Sequence, residues 1–364
     1  MPTADHAARR DALRSLVRTA GWDAMLVTDL LNVRYLTGFT GSNAALLVSA
    51  SDTAAGEDGT VICTDGRYVI QVAGQVPDLR AVIDRAGPVR LLSDTPARRV
   101  GFESHVVSVD DHARWTERTD VELVRAARPV EQLRVVKDES EVALLRQACG
   151  VADRALATLI ERGSLRPGRT EKEVGLELDH TMLGLGADGI SFETIVATGA
   201  NSAVPHHRPD ATVLRHGDLL KLDFGAEVGG YHSDMTRTYV LGAAQEWQRE
   251  LYELVARSQA AGRAALRPGA EVRAVDGAAR AVIDEAGHGE LFLHGLGHGV
   301  GLEIHEAPGI GATGTGTLLA GAAVTVEPGV YFSGRGGVRI EDTLIVREDE
   351  PELLTLTSKE FTVL

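Results

Sequence analysis

Hydrophobic positions recur in two rhythms along this chain. Short runs alternate apolar and polar residues, and longer segments between them place apolar residues three to four apart. The first rhythm predicts strands and the second predicts helices. Over residues 1 to about 125 an Arg- and Leu-rich helical stretch up to Ala20 is followed by apolar runs at residues 24–28, 44–48 and 61–64. This alternation predicts an α/β domain whose strand order the pattern alone leaves open. Residues 32–43, Asn32-Val33-Arg34-Tyr35-Leu36-Thr37-Gly38-Phe39-Thr40-Gly41-Ser42-Asn43, read as a loop. The polar stretch from Arg128-Pro129 to Asp138 reads as a connection, with Asp138 and Glu141 spaced as a capping box for the next helix. The expected domains are residues 1–130 and 131–364.

Within the second domain the pattern repeats. Leu165-Arg166-Pro167-Gly168 recurs as Leu266-Arg267-Pro268-Gly269, each between two long helical patterns. Thr170 and Glu173 predict a capped helix start after the first copy. Each helix pair leads to a glycine turn and a predicted strand, at residues 189–192 and 289–292. The matching order suggests a duplication, with helices outside and curved sheet inside.

Residues 219–228 and 231–241 are strand-like runs separated only by Gly229-Gly230, which predicts a hairpin with a two-residue turn. Pairing Val228 with Tyr231 sets Asp223 opposite Thr236 and Asp234 opposite Gly225, so the two aspartates share one face. Diagonal neighbours lie roughly 7–8 Å apart, within reach of two cations about 3.5–4 Å from each other. Gly225 is expected to leave room for an ion. A second ribbon is predicted from residues 323–327, a glycine-rich link after Pro328-Gly329, and residues 337–343. Period two puts Arg339 beside Glu341, where its guanidinium would hold that carboxylate ionised and oriented.

His294-Gly295-Leu296-Gly297-His298-Gly299-Val300-Gly301 has glycine at every second position, which argues against a helical histidine pair. It predicts an extended, closely approached segment in which one imidazole is a ligand and the other meets substrate. Taken singly, a strand Glu beside Arg is an ordinary surface ion pair, and a glycine-flanked His is a turn residue. Together, Asp223, Asp234, His298, Glu327 and Glu341 form a set that is costly without cations and suits two divalent metal ions.

Composition narrows the class. The 364 residues carry a net charge of −15, which argues against a nucleic-acid partner. No apolar run approaches membrane-span length, so no membrane partner is expected. Two cysteines with no metal-ligand spacing fit a reducing cytoplasm.

The runs Lys221-Leu222-Asp223-Phe224-Gly225, Ser233-Asp234-Met235-Thr236-Arg237-Thr238, His294 to His305-Glu306, Val326-Glu327-Pro328-Gly329 and Arg339-Ile340-Glu341-Asp342-Thr343 closely resemble the pita-bread metallopeptidases (family M24). The resemblance is to their proline-specific branch, the Xaa-Pro aminopeptidases and Xaa-Pro dipeptidases (prolidases), and spans about residues 138–360. Residues 32–43 resemble that branch's creatinase-type N-terminal domain. The resemblance implies an α/β fold with a creatinase-type domain followed by a pseudo-symmetric pita-bread catalytic domain. It implies a bidentate Asp223, bridging Asp234 and Glu341, and His298 with Glu327 on the second metal. His206 matches the family's first substrate-side histidine, with His207 an extra neighbour. His294 and His305 match later site histidines, and Arg339 matches a residue that steadies the ligand carboxylates. Glu327 also matches the proton relay. The implied cofactor is two divalent ions, Mn2+ by custom, with Co2+, Zn2+ or Fe2+ suited to the same donors. The implied substrates are small peptides with proline at the second position, and the implied assembly is a homodimer. Gly38-Phe39-Thr40-Gly41-Ser42 resembles compact bacterial members named aminopeptidase P, which favours an aminopeptidase over the alternative dipeptidase.

Overall fold

A computed structural model describes residues 4–53 and 56–364. Two compact units meet in sequence between Arg134 and Val135. In the first unit, α1 (His6–Thr19) is followed by β1 (Ala24–Val27), α2 (Leu30–Thr37), β2 (Ala44–Ser49), β3 (Val61–Thr64), β4 (Arg80–Ile83), β5 (Arg99–Glu103) and β6 (Glu122–Ala126). The strands form one sheet in the order β4-β3-β2-β1-β5-β6. Its core includes Leu26, Leu47, Val61 and Phe102. The expected loop at residues 32–43 is corrected in its first half. Asp29 accepts hydrogen bonds from the backbone N–H groups of Leu31 and Asn32, capping α2, and Gly38 ends that helix in a left-handed conformation.

The second unit opens with α3 (Glu139–Glu161) and α4 (Glu171–Gly184). Both predicted capping boxes are present, Asp138 with Glu141 and Thr170 with Glu173. Next come β7 (Ile195–Thr198), β8 (Leu219–Phe224), β9 (Ala226–Val228), β10 (Tyr231–His232) and β11 (Met235–Val240). Then α5 (Glu246–Ala265) and α6 (Val272–Glu285) lead to β12 (Gly297–Gly299), β13 (Glu306–Ile310), β14 (Ala323–Val326), β15 (Gly329–Phe332), β16 (Gly336–Arg339) and β17 (Asp342–Ile345).

The two halves of this unit are built alike. Helices α3 and α4 bury Leu156, Val174 and Leu178 with Leu220, Leu222 and Met235 of the first ribbon. Helices α5 and α6 bury Val255, Val275 and Ile283 with Val324, Val326 and Val338 of the second. The repeated tetrapeptides make the same closure: Gly168 N–H donates to Leu214 O at 2.9 Å, and Gly269 N–H to Leu318 O at 2.8 Å. One expected parallel fails, since Gly289–Leu291 is a short 3₁₀ turn where a strand was predicted. Residues 329–332, expected as part of a link, form β15 and pair with β16.

Candidate metal centre

Each half supplies one interrupted ribbon; Asp234, Glu327 and Glu341 lie at the interruptions and Asp223 in the paired strand just before one. In the first ribbon Val228 pairs with Tyr231 and Asp223 with Thr236, as the turn register requires. Gly229 and Gly230 have φ of 58° and 81°, which suits them to the mirror-image turn of a two-residue hairpin. The ladder breaks at Gly225, opposite Asp234. A Cβ on Gly225 would lie 1.8 Å from the Ser233 carbonyl oxygen, so this glycine admits backbone, and the expected room for an ion is corrected. In the second ribbon Thr325 pairs with Thr343 before the break and Gly329 with Arg339 after it. Glu327 and Glu341 lie in that break.

The ribbons are stitched face to face. Glu341 N–H donates to Thr236 O at 3.1 Å, the Thr343 hydroxyl to Asp234 O at 2.8 Å, and the Thr238 hydroxyl to Arg339 O at 2.9 Å. Behind them the Arg237 guanidinium donates to Glu341 O and Asp342. His298 enters from β12, whose Gly297 would place a Cβ 2.1 Å from Thr325 O. The alternating glycines thus permit the close approach that their spacing suggests.

Asp223, Asp234, His298, Glu327, Glu341 and Arg339 all line one cavity of about 260 Å3. His206, His207 and His305 line it too, with apolar Phe192, Ile195 and Ile304. Nε2 of His298 lies 3.4 Å from both Asp234 Oδ2 and Glu327 Oε1. Its Nδ1 is 3.0 Å from the Gly299 carbonyl, a contact that needs the hydrogen on Nδ1 and leaves Nε2 as the donor for a cation. The His305 ring stands edge-on to that of His298, with centroids 4.4 Å apart.

Two expected contacts differ. Arg339 steadies Asp223, with which it makes a direct hydrogen-bonded ion pair, whereas Glu341 receives no hydrogen bond from it. The Arg339 Nε–H donates to the Thr236 hydroxyl at 3.0 Å, and the Thr236 hydroxyl donates to Glu341 Oε2 at 2.7 Å. His294 is absent from the cavity wall. Its Nε2 is 2.8 Å from the Tyr331 hydroxyl, which itself accepts from Arg339 at 2.9 Å, and its Nδ1 is 2.8 Å from Gly295 O. Burial, with Arg339 nearby, pushes the His294 imidazole down to about 3, consistent with a neutral ring that supports Tyr331.

Burial drives the carboxyl groups the other way. It raises Asp234 to about 6 and Glu327 to about 7, with the neighbouring carboxylates adding to the rise in each. Glu341 is raised as well, by burial and then by Asp234 and Glu327. Burial opposes charge on His298, yet Asp234 and Glu327 outweigh it and lift the ring to about 9. Glu341 Oε1 is buried without any hydrogen-bond partner among the described residues. Ligand atoms of Asp234, His298 and Glu341 all lie within 4.8 Å of one another. An orphaned carboxylate oxygen, crowded carboxyl groups and an imidazole Nε2 turned inward, whose proton a cation would displace, are what divalent cations would relieve, so the residues present fit such ions.

The roles of Thr236 and Tyr331 escaped the sequence reading. Thr236 was within reach of it, being the register partner of Asp223. Tyr331 acts through His294, distant in sequence, for which the pattern holds no signal.

Residues 143–348 match the model of metallopeptidase family M24. The chain belongs to that family. In this M24 chain, residues 9–136 match the creatinase/prolidase N-terminal domain. Its similarity to an uncharacterized peptidase, YqhT, of Bacillus subtilis is 38% identity over 97% of this chain and 99% of that protein. The solved Xaa-Pro dipeptidase from Bacillus anthracis superposes with a TM-score of 0.94 at 36% identity, covering 99% of this chain and 100% of the other. An X-Pro aminopeptidase structure from Thermotoga maritima gives 0.87 at 32% identity, covering 95% and 99%. The M24 chain is therefore a metallopeptidase with a creatinase-type first domain. No helix among its described residues is long and apolar enough to cross a membrane.

Proposed function

We propose that this metallopeptidase is an Xaa-Pro dipeptidase that hydrolyses the bond between a first residue and a following proline. The cavity carries the reading: a cluster of buried carboxylates with one inward imidazole, bordered by further histidines and apolar side chains. The higher identity and TM-score with the dipeptidase from Bacillus anthracis favour a dipeptidase over the aminopeptidase favoured by the loop motif. The aminopeptidase reading keeps support from the Thermotoga maritima structure.

Asp223, Asp234, His298, Glu327 and Glu341 would hold two divalent ions, Mn2+ by the custom of the family, with Co2+, Zn2+ or Fe2+ suited to the same oxygen and nitrogen donors. Such ions supply Lewis acidity and a nucleophile at neutral pH. Arg339 fixes Asp223 through their ion pair, and Thr236 fixes one oxygen of Glu341. Glu327, which borders the cavity beside His298, would take a proton at its carboxylate and pass it to the leaving proline nitrogen. His206 and His305 line the cavity, where they would hold the scissile carbonyl oxygen as charge develops on it. Phe192, Ile195 and Ile304 offer apolar surface for a pyrrolidine ring.

The reading includes a reducing cytoplasm, in keeping with two buried free cysteines, and a homodimer, which light scattering would check. Comparing Ala-Pro with Ala-Ala tests proline specificity. Release of alanine from Ala-Pro at a kcat/KM at least about 100-fold above that from Ala-Ala is expected, about 2.7 kcal/mol of discrimination. Equal rates would refute it.

A further inference from the structure

Lys221 lies on β8 two residues before Asp223, so both side chains leave the same face of the strand. It is wholly buried, and it makes no ion pair among the described residues. Its Nζ donates to the carbonyls of Val204 at 2.7 Å and Pro205 at 3.2 Å, and stands 5.2 Å from the centre of the Tyr331 ring. Two carbonyls and a ring face thus account for the three hydrogens of the ammonium. Arg339, the ion-pair partner of Asp223, donates to the same Pro205 carbonyl at 3.3 Å. Burying a cation is costly, and this one is committed to the backbone just ahead of His206.

The neighbours of His206 have holds of their own. Oε1 of Glu171, the first residue of α4, accepts from Thr198 N at 2.7 Å and Asn201 Nδ2 at 3.0 Å. Its Oε2 meets His207 Nε2 at 2.7 Å and accepts from Asp210 N at 3.3 Å. The His206 ring, by contrast, makes no hydrogen bond among the described residues, although it borders the cavity that holds the carboxylate cluster. Its place there is set by the backbone that carries it. Lys221 and Arg339 tie that backbone to the strand and to the ion pair that hold Asp223.

We propose that Lys221 is a positioning residue for His206, clamping the Val204 and Pro205 carbonyls so that the imidazole keeps a fixed place relative to Asp223. The task of His206 at the scissile carbonyl rests on the Xaa-Pro reading above, whereas the clamp itself does not.

The test uses the full-length, metal-loaded protein with Ala-Pro as substrate. Lys221→Met keeps the apolar stem and removes the ammonium. It is expected to lower kcat about ten-fold or more, because small misplacements beside reacting atoms are costly, with KM within about two-fold of wild type. Bound metal per chain should stay at the wild-type value. In a His206→Ala background Lys221→Met should cause no further fall in kcat, since both changes remove one interaction. Amide hydrogen exchange over residues 201–208 should quicken in Lys221→Met, as a segment released from its hold opens more often. Lys221→Gln, which keeps an N–H donor, should show the same pattern at smaller size and serves if Lys221→Met does not fold. An equal fall of kcat in the His206→Ala background, a loss of metal, or unchanged kcat or exchange would overturn the assignment. A wild type that cleaves no Xaa-Pro peptide would instead overturn the function reading, and the exchange would still judge the clamp.

Discussion

Glu341 has one oxygen held by the Thr236 hydroxyl and the other buried without a partner, so a single side chain expresses the site's demand for a cation. Asp234 lies in the same cluster of possible ligands. Asp234→Ala is expected to lower bound metal below the wild-type content and to reduce kcat at least about 100-fold, since ligand loss should exceed the 10–100-fold typical of supporting groups. His305→Ala should keep the metal and lose rate. Metal analysis beside steady-state kinetics separates the two, and an active, metal-loaded Asp234→Ala protein would remove the assignment. Protonation offers a second check at this scale. Asp234, Glu327 and His298 have folded values of about 6, 7 and 9, each above its ordinary value. The folded metal-free chain therefore binds more protons than the unfolded one at these groups. Their contribution to stability is full below their unfolded values and falls as pH rises from about 4 to 9. Cations must displace those protons. The rise in Tm caused by Mn2+ should grow between pH 6 and 9, and a rise that shrinks over that window in a calorimetric series would contradict the proton placement.

At the scale of elements, what the sequence revealed follows from local geometry. A two-residue glycine turn fixes register, and register alone set Asp223 opposite Thr236. Capping residues likewise marked the starts of α3 and α4. The misreadings have the opposite origin. Residues 30–37 contain Asn32, Tyr35 and Thr37, which suggest a loop, yet Asp29 caps them into α2. The ladder breaks at Gly225 and around Glu327 depend on which backbone comes near, and period two carries no trace of that. Gly297→Ala tests the account here. Its Cβ would meet Thr325 O at 2.1 Å, where only backbone movement can relieve the clash. Overpacking of this kind costs typically about 1–3 kcal/mol. Tm should fall by several degrees, at about 2–4 °C per kcal/mol in a unit of this size, and metal binding should weaken because His298 is the next residue. An unaltered Tm and metal affinity would show that the close approach does not hold His298.

Across the whole molecule the repeat explains why the site sits where it does. Each half has its own helix pair and core, and each lends an interrupted ribbon with acidic residues at or beside its break. The tetrapeptide repeat made this duplication legible. The direct Arg339 contact with Asp223 was not, because it joins residues of different halves and the sequence pattern speaks only within each. The first unit's sheet order, β4-β3-β2-β1-β5-β6, was equally out of reach, since its strands pair across intervening helices. The central claim is that the buried cluster makes this M24 chain a cation-dependent hydrolase of Xaa-Pro dipeptides. Release of the first residue from Ala-Pro and from Ala-Pro-Ala, each with Mn2+ and with a chelator, tests it most directly. The account predicts chelator-sensitive cleavage of Ala-Pro with little cleavage of Ala-Pro-Ala. Preferred cleavage of the tripeptide would make the protein an aminopeptidase, and cleavage of Ala-Pro that survives complete metal removal would contradict the account at its centre.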